Sequence, residues 1–176
     1  NGEELSENLV KHVILNNLRM YRKKYPATKY DKLVIACDSY SWRKDVYPEY
    51  KANRKKTRDK DKHDWTAIFN LIESTLDDIR ANFPYAVIKI DKAEADDIIG
   101  ALTIHKSMPL IGEDVVIVSA DKDFIQLQKY GHVIQWSPMF NKAIKDENPV
   151  KYIFEHILKG DSSDGVPNVL SPDDCL

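Results

Sequence analysis

The chain has 176 residues, 43% hydrophobic and 31% charged, with a formal net charge of −2. That is one domain or slightly more, long enough to bury a core and too apolar for a disordered chain. No apolar run approaches the roughly 20 residues that cross a bilayer. The opening residues carry no signal-peptide pattern, and Cys37 and Cys175 lack metal-binding spacing, so a reducing compartment, the cytoplasm, is expected.

Residues 5–25 read as an amphipathic helix, with Leu5, Leu9, Val13, Leu18, Tyr21 and Tyr25 mostly three or four apart. Arg19, Arg22, Lys23 and Lys24 crowd its end, where cations suit the helix dipole, and Pro26 closes it. Leu33 to Cys37 form a short strand ending at Asp38. Residues 43–62 have no clean period. With nine Lys or Arg against four Asp or Glu they read as a basic, exposed, mobile excursion. Asp64 is expected to cap the next helix, whose apolar face is Ile68, Leu71, Ile72, Thr75, Leu76 and Ile79 and which Pro84 ends. Ala86 to Ile90 make the second strand. Asp91 and Glu94 have capping-box-like spacing before a helix carrying Ile98, Ile99, Leu102 and Ile104. Val115 to Val118 read as a strand buried on both faces. A short helix from about Phe124, a strand over His132 to Trp136 and a helix over 150–159 follow, with Gly160 just past its end. Alternating strands and helices predict an α/β fold with a mostly parallel central sheet and helices on both faces.

The chemistry lies in the acids. Asp38, the group Glu94, Asp96 and Asp97, the pair Asp121 and Asp123, and the pair Asp161 and Asp164 each stand at the end of an apolar run or at a helix terminus. Open α/β sheets place their sites beyond the carboxyl ends of the strands. Eight acids converging there would repel one another, and oxygen-only ligand sets favour Mg²⁺ or Mn²⁺ as the remedy. Two such ions suit the cutting of phosphodiesters. Each motif also has a plainer reading. Asp123 could cap the following helix, three acids in a first turn complement the dipole, and the Gly- and Pro-bearing loop around Asp161 and Asp164 reads alone as a turn. Glu94 and Asp96 are two apart, so both reach one ion only from the first helical turn. Tyr47, Tyr50, Lys51 and Arg54 share a face if their segment turns helical, and aromatics among bases suit unpaired nucleic acid. Otherwise they form a solvated basic loop.

In order along the chain stand Y-K-x-x-R, E-A-D-D, S-x-D-x-D-F and G-D-x-x-D-G-V-P. Together they resemble the structure-specific 5′ nucleases, the flap endonucleases and the 5′-nuclease domains of bacterial DNA polymerases, most of all the phage replication branch. The resemblance runs from about residue 9 to about 168. It implies a 5′-nuclease, PIN-like catalytic domain over residues 1–159, with a helical arch over 43–63. The start of a helix-three-turn-helix region would occupy 160–176. Asp38, Asp96 and Asp121, with Glu94 close by, match a first Mg²⁺ site. Asp123, Asp161 and Asp164 match a second, and Asp97 a further acidic position nearby. Lys51 and Arg54 match arch residues that contact the scissile phosphate. Tyr47, Tyr50, Lys55, Lys56 and Arg58 fall in the DNA-binding arch, and Gly160, Gly165 and Val166 match an element that grips duplex backbone.

The activity implied is metal-dependent 5′-to-3′ exonuclease and flap endonuclease cleavage, including RNase H action on RNA–DNA hybrids, that removes primers and flaps during lagging-strand replication. The substrates would be DNA and RNA–DNA hybrids with a 5′ flap or 5′ end. The expected protein is a monomer in the cytoplasm, that of the host if phage-encoded, with a single-strand DNA-binding protein and a sliding clamp as partners. Two departures stand out. The family's N-terminal strand with another metal-binding Asp is absent, and SPDDCL does not continue the helix-three-turn-helix pattern, so a piece of a longer chain is expected. Alternative readings are an inactive nuclease-like DNA-binding module and a PIN-type ribonuclease, the latter opposed by Y-K-x-x-R and G-D-x-x-D-G-V-P. A phosphatase using D-x-D leaves E-A-D-D without a role.

Overall fold

The computed structural model describes residues 6–52, 54, 61 and 64–172. The chain divides into two compact units, Asn1–Cys37 with Lys60–Ile88, and Asp38–Asp59 with Lys89–Leu176.

In the first unit, helix α1 (Glu7–Lys24) is capped by Ser6, whose hydroxyl accepts the Leu9 N–H at 3.2 Å. It packs on the long helix Trp65–Asn82, and Lys11 ties the two by bonding Glu7 at 2.7 Å and Asp78 at 2.6 Å. The seam differs from the expected stripe. Val10 is the buried residue of α1, while Leu9 and Val13 are 44% and 50% exposed, because contact with one neighbouring helix covers a narrower face than periodicity alone assigns. Asp64 caps the long helix as expected, accepting the Ala67 N–H at 3.0 Å. Thr75, Leu76 and Ile79 are its buried residues. Strands β1 (Val34–Cys37) and β2 (Ala86–Lys89) pair in a two-stranded sheet.

The second unit opens with a short helix, α2 (Arg43–Val46), so the long helix of the first unit is α3 in chain order. Helix α4 (Ala95–Lys106) then leads to β3 (Val115–Val118), a 3₁₀ helix over Lys122–Lys129, β4 (Val133–Ser137), β5 (Lys142–Ile144) and α5 (Pro149–Lys159). β3 runs parallel to β4, with Val115 opposite Val133, and β4 antiparallel to β5. Ile117, Phe124, Leu127 and Val133 form the core, joined by Ile99, Val115 and Tyr130.

Three expectations are corrected. The described strands form two small sheets, β1–β2 and β3–β4–β5, rather than one. β3 is buried on one face only: Ile117 and Val115 alternate onto the core while Val118 is 39% exposed. Helix α4 is boxed by Glu94 with Asp97 instead of Asp91 with Glu94. Asp91 and Lys92 form a turn in which Lys92 takes φ +60°, so the helix cannot start there. β5 was not expected at all, since its three residues carry no apolar run. No helix among the described residues is long and apolar enough to cross a membrane.

Candidate metal centre

The acids singled out in the sequence all belong to the second unit. The loop after Asp38 is fastened to the turn before α4: Ser39 N–H donates to Ala93 O at 3.1 Å, Trp42 N–H to Lys92 O at 2.9 Å, and Ala95 N–H to Asp38 Oδ1 at 2.8 Å. Asp38 is thereby set at the first turn of α4, which carries Asp96. Asp121 ends the loop after β3. Its Oδ1 accepts the Asp123 N–H at 2.9 Å, making Asp121 the cap of the 3₁₀ helix, so the plainer reading of Asp123 as that cap falls away. Buried Gln135 of β4 holds this loop from beneath, donating to Asp121 O at 2.5 Å and Ser119 O at 3.2 Å.

Asp96 records how closely the acids meet. Burial first, and then the charges of Asp121, Asp38 and Glu94, push its carboxyl up to about 6 despite the opposing charge of Lys51. Asp123 is also pushed up, by burial and by Asp121, Asp161 and Asp164, against the pull of His156. Asp161 is held low by the Ser163 hydroxyl, which donates to it at 2.7 Å alongside the Ser163 N–H at 2.8 Å. Asp121, Asp123, Asp161 and His156 line one open pocket. His156 Nε2 lies 3.1 Å from Asp123 Oδ1, and its ring stacks on Tyr152 at 5.8 Å.

Among the described residues three of the eight acids, Glu94, Asp97 and Asp164, are paired with Lys or Arg side chains. Glu94, 7% exposed, takes Ser41 Oγ at 2.9 Å, Tyr50 OH at 3.0 Å and Arg43 Nη1 at 3.0 Å on Oε2, and Lys51 Nζ at 2.6 Å on Oε1. Burial pushes this carboxyl up, but Lys51, Ser41 and Tyr50 outweigh it and hold it below the usual range. Asp97 is gripped by both Arg43 nitrogens, at 2.7 and 2.9 Å, and accepts the Glu94 N–H at 3.0 Å. The Arg43 guanidinium first of all keeps Asp97 low.

Where it is described, the basic segment is folded and partly buried, against the expected exposed excursion. Tyr50 is buried rather than open for stacking, and burial pushes its hydroxyl up to about 12. Lys51 takes φ +57° and donates its N–H to Asp164 O at 2.9 Å, with Nζ 3.7 Å from the Asp164 carboxylate. Arg54 pairs with the same carboxylate, and Tyr47 OH donates to Gly165 O at 3.1 Å. The attraction between this cationic stretch and the acids explains the fold-back. Lys55, Lys56 and Arg58 lie outside the described residues. Gly160 and Gly165 take φ +70° and +74°, and the Asp161–Val166 bridge closes the loop between them. Arg43, Ser41, Gln135 and His156 escaped the sequence reading. Only the basic character of WRKD hinted at Arg43.

The donor chemistry fits hard divalent cations. Asp38, Asp96 and Asp121 present oxygens whose mutual repulsion a cation would relieve, and Asp123 and Asp161 present more across the pocket. Among the described residues no three such groups already converge on an ion-sized point.

Carboxylates gathered past the ends of short strands and at helix termini, with a basic segment folded against them, define an acid-centred α/β fold. The chain belongs to the family of 5′-3′ exonuclease N-terminal, resolvase-like domains, whose model matches residues 4–155. It is 39% identical over 172 residues to the ribonuclease H of Enterobacteria phage T4, covering 95% of this chain and 56% of that protein. It is 31% identical over 161 residues to the flap endonuclease Xni of Shewanella baltica, covering 86% and 55%. The chain thus spans just over half the length of these two relatives. The crystal structure of the bacteriophage T5 flap endonuclease in a pseudo-enzyme–product complex with DNA and metal ions matches with a TM-score of 0.72 at 19% identity, over 97% of this chain and 65% of that one.

Proposed function

We propose that this chain is the catalytic region of a metal-dependent 5′-to-3′ exonuclease and flap endonuclease. It would hydrolyse phosphodiesters at 5′ ends and at single-strand to duplex junctions of DNA and RNA–DNA hybrids. The observation that carries this reading is the cluster of Asp38, Asp96 and Asp121, where burial first and then the neighbouring carboxylates lift Asp96 to about 6. The names of the relatives, ribonuclease H and flap endonuclease, supply the substrate class.

In this reading Asp38, Asp96 and Asp121 hold one Mg²⁺, and Asp123, Asp161 and Asp164 a second, with Mn²⁺ able to replace either. Bound there, the ions would polarise the scissile phosphate and stabilise the attacking and leaving oxygens. Glu94 and Asp97, saturated by Lys51, Tyr50, Ser41 and Arg43, position the first turn of α4. His156 orients Asp123. Lys51 and Arg54 neutralise charge growing on the phosphate. To do so they exchange Glu94 and Asp164 for phosphate oxygens, so the substrate opens the contacts that the free chain makes. Tyr47, Gly160, Gly165 and Val166 complete the DNA-binding surface, with the buried Tyr50 supporting it through its bond to Glu94. The same reading takes primers and flaps of lagging-strand synthesis as substrates. It takes a single-strand DNA-binding protein and a sliding clamp as partners of a monomer, in the cytoplasm of the host if the protein is phage-encoded.

The test is a 5′-labelled flap duplex incubated with and without Mg²⁺. Cutting near the junction that needs the ion and disappears in Asp121→Asn supports the nuclease. Flap binding with no cutting refutes it in favour of a nuclease-like binding module.

A further inference from the structure

The first unit carries a charged surface that the nuclease reading leaves unused. Arg19, Lys23, Lys24, Lys29 and Lys32 are all exposed, and Asp31 is the one acid between residues 19 and 32. Complementing the end of a helix dipole requires a cation or two in the last turn. It does not account for Lys29 and Lys32, which lie beyond the helix. The scaffold beneath the charges is built. Arg22 turns inward and donates to Tyr30 O and Asp31 O, each at 2.7 Å, which pins the loop after α1 back onto the helix. Tyr25 and Tyr30 meet edge to face at 5.6 Å. Lys24 sits 5.8 Å from the Tyr25 ring and Lys29 5.2 Å from the Tyr30 ring. The segment is therefore a set of cations mounted on a clamped loop and a helix end.

We propose that this patch is a second nucleic-acid contact, which takes the sugar–phosphate backbone of duplex. Resting on the nuclease reading, it adds where that enzyme would hold the duplex arm of its substrate. Point charges on flexible stems, with the local aromatic rings engaged by each other and by lysines, suit a polyphosphate read without regard to sequence. An acidic protein would bring side chains in need of apolar anchors, which aromatic and guanidinium hot spots normally supply.

The test is the triple variant Arg19→Ala, Lys23→Ala, Lys32→Ala, compared with the unaltered chain for binding of a labelled blunt duplex in Ca²⁺ over a salt series. Circular dichroism and thermal melting confirm that it folds. None of the three residues belongs to the acid centre. The proposal expects duplex binding weakened about 10-fold near ~0.1 M salt, with the slope of log K against log [salt] lowered by about 2. Single-turnover flap cleavage at saturating enzyme should stay within about twofold. An unchanged slope and affinity overturn the proposal. So does a variant that keeps duplex binding while losing only binding to polyglutamate, because the partner is then an acidic protein. Duplex binding that the triple variant removes, in a chain that never cuts, sustains the patch while sinking the nuclease reading.

Discussion

Asp96 shows at the scale of one residue how crowding becomes a measurable property. Its carboxyl is raised to about 6 in the folded chain, against about 3.9 when unfolded. Below about pH 4 both states hold the proton and the group is neutral to stability. Between about 4 and 6 the folded state keeps a proton that the unfolded state has lost, so stability falls as pH rises, and above 6 the full cost remains. Metal-free melting temperatures should therefore decline across that window. Asp96→Asn should flatten the decline and stabilise the fold near pH 7 by about 1–2 kcal/mol, after discounting for screening by solvent. A variant no more stable than the parent would mean that burial and the neighbouring carboxylates do not raise Asp96. Lys51 gives a second residue-scale prediction. Lys51→Ala should slow single-turnover cleavage by about 10²-fold while weakening flap binding only a few-fold, since the charge matters most where charge develops. An unchanged rate would remove Lys51 from the chemistry.

Element boundaries were largely legible because they are written in local chemistry. Ser6, Asp64 and Asn148 cap their helices through side-chain oxygens, and Asp64→Ala should cost about 1 kcal/mol in urea unfolding. Asp64 was foreseen from its position before an apolar period. The Glu94–Asp97 box was misplaced by three residues, since Asp91 offers the same spacing and only the left-handed Lys92 excludes it. Gly160 ends α5 with φ +70°, and a Cβ there would lie 2.4 Å from Pro167 O. Gly160→Ala should thus cost more than an ordinary positive-φ substitution, about 2 kcal/mol or above, and should displace the Asp161 loop. Denaturant titration together with Mg²⁺ affinity tests both effects. Stability and metal binding equal to the parent would show that the loop tolerates a side chain.

At the scale of the whole molecule the eight acids of the candidate centre lie in the second unit, with cations folded onto some of them, and a basic patch lies in the first. Anything that binds only the folded acids stabilises the fold by mass action. Mg²⁺ at about 100 times its dissociation constant should add about 2.7 kcal/mol, seen as a rise in Tm that Asp121→Asn diminishes. A Tm indifferent to Mg²⁺ would argue against a metal centre.

The amino-acid sequence by itself determined the order of the longer elements, the Asp64 cap, the positions of the acids and the family, because these follow from periodicity, local hydrogen bonding and motif order along the chain, while the short α2 and β5 and the Glu94–Asp97 box escaped it. The tertiary structure alone decided which acids stay available and which are spent. Glu94 and Asp97 look like their neighbours in E-A-D-D, yet Arg43, Tyr50 and Lys51 reach them from more than 40 residues away. His156 and Gln135 likewise join the site only because α5 and β4 pack beside the D-x-D turn. Proximity across such separations leaves no periodic trace, since it comes from packing and from charge finding charge in the folded chain.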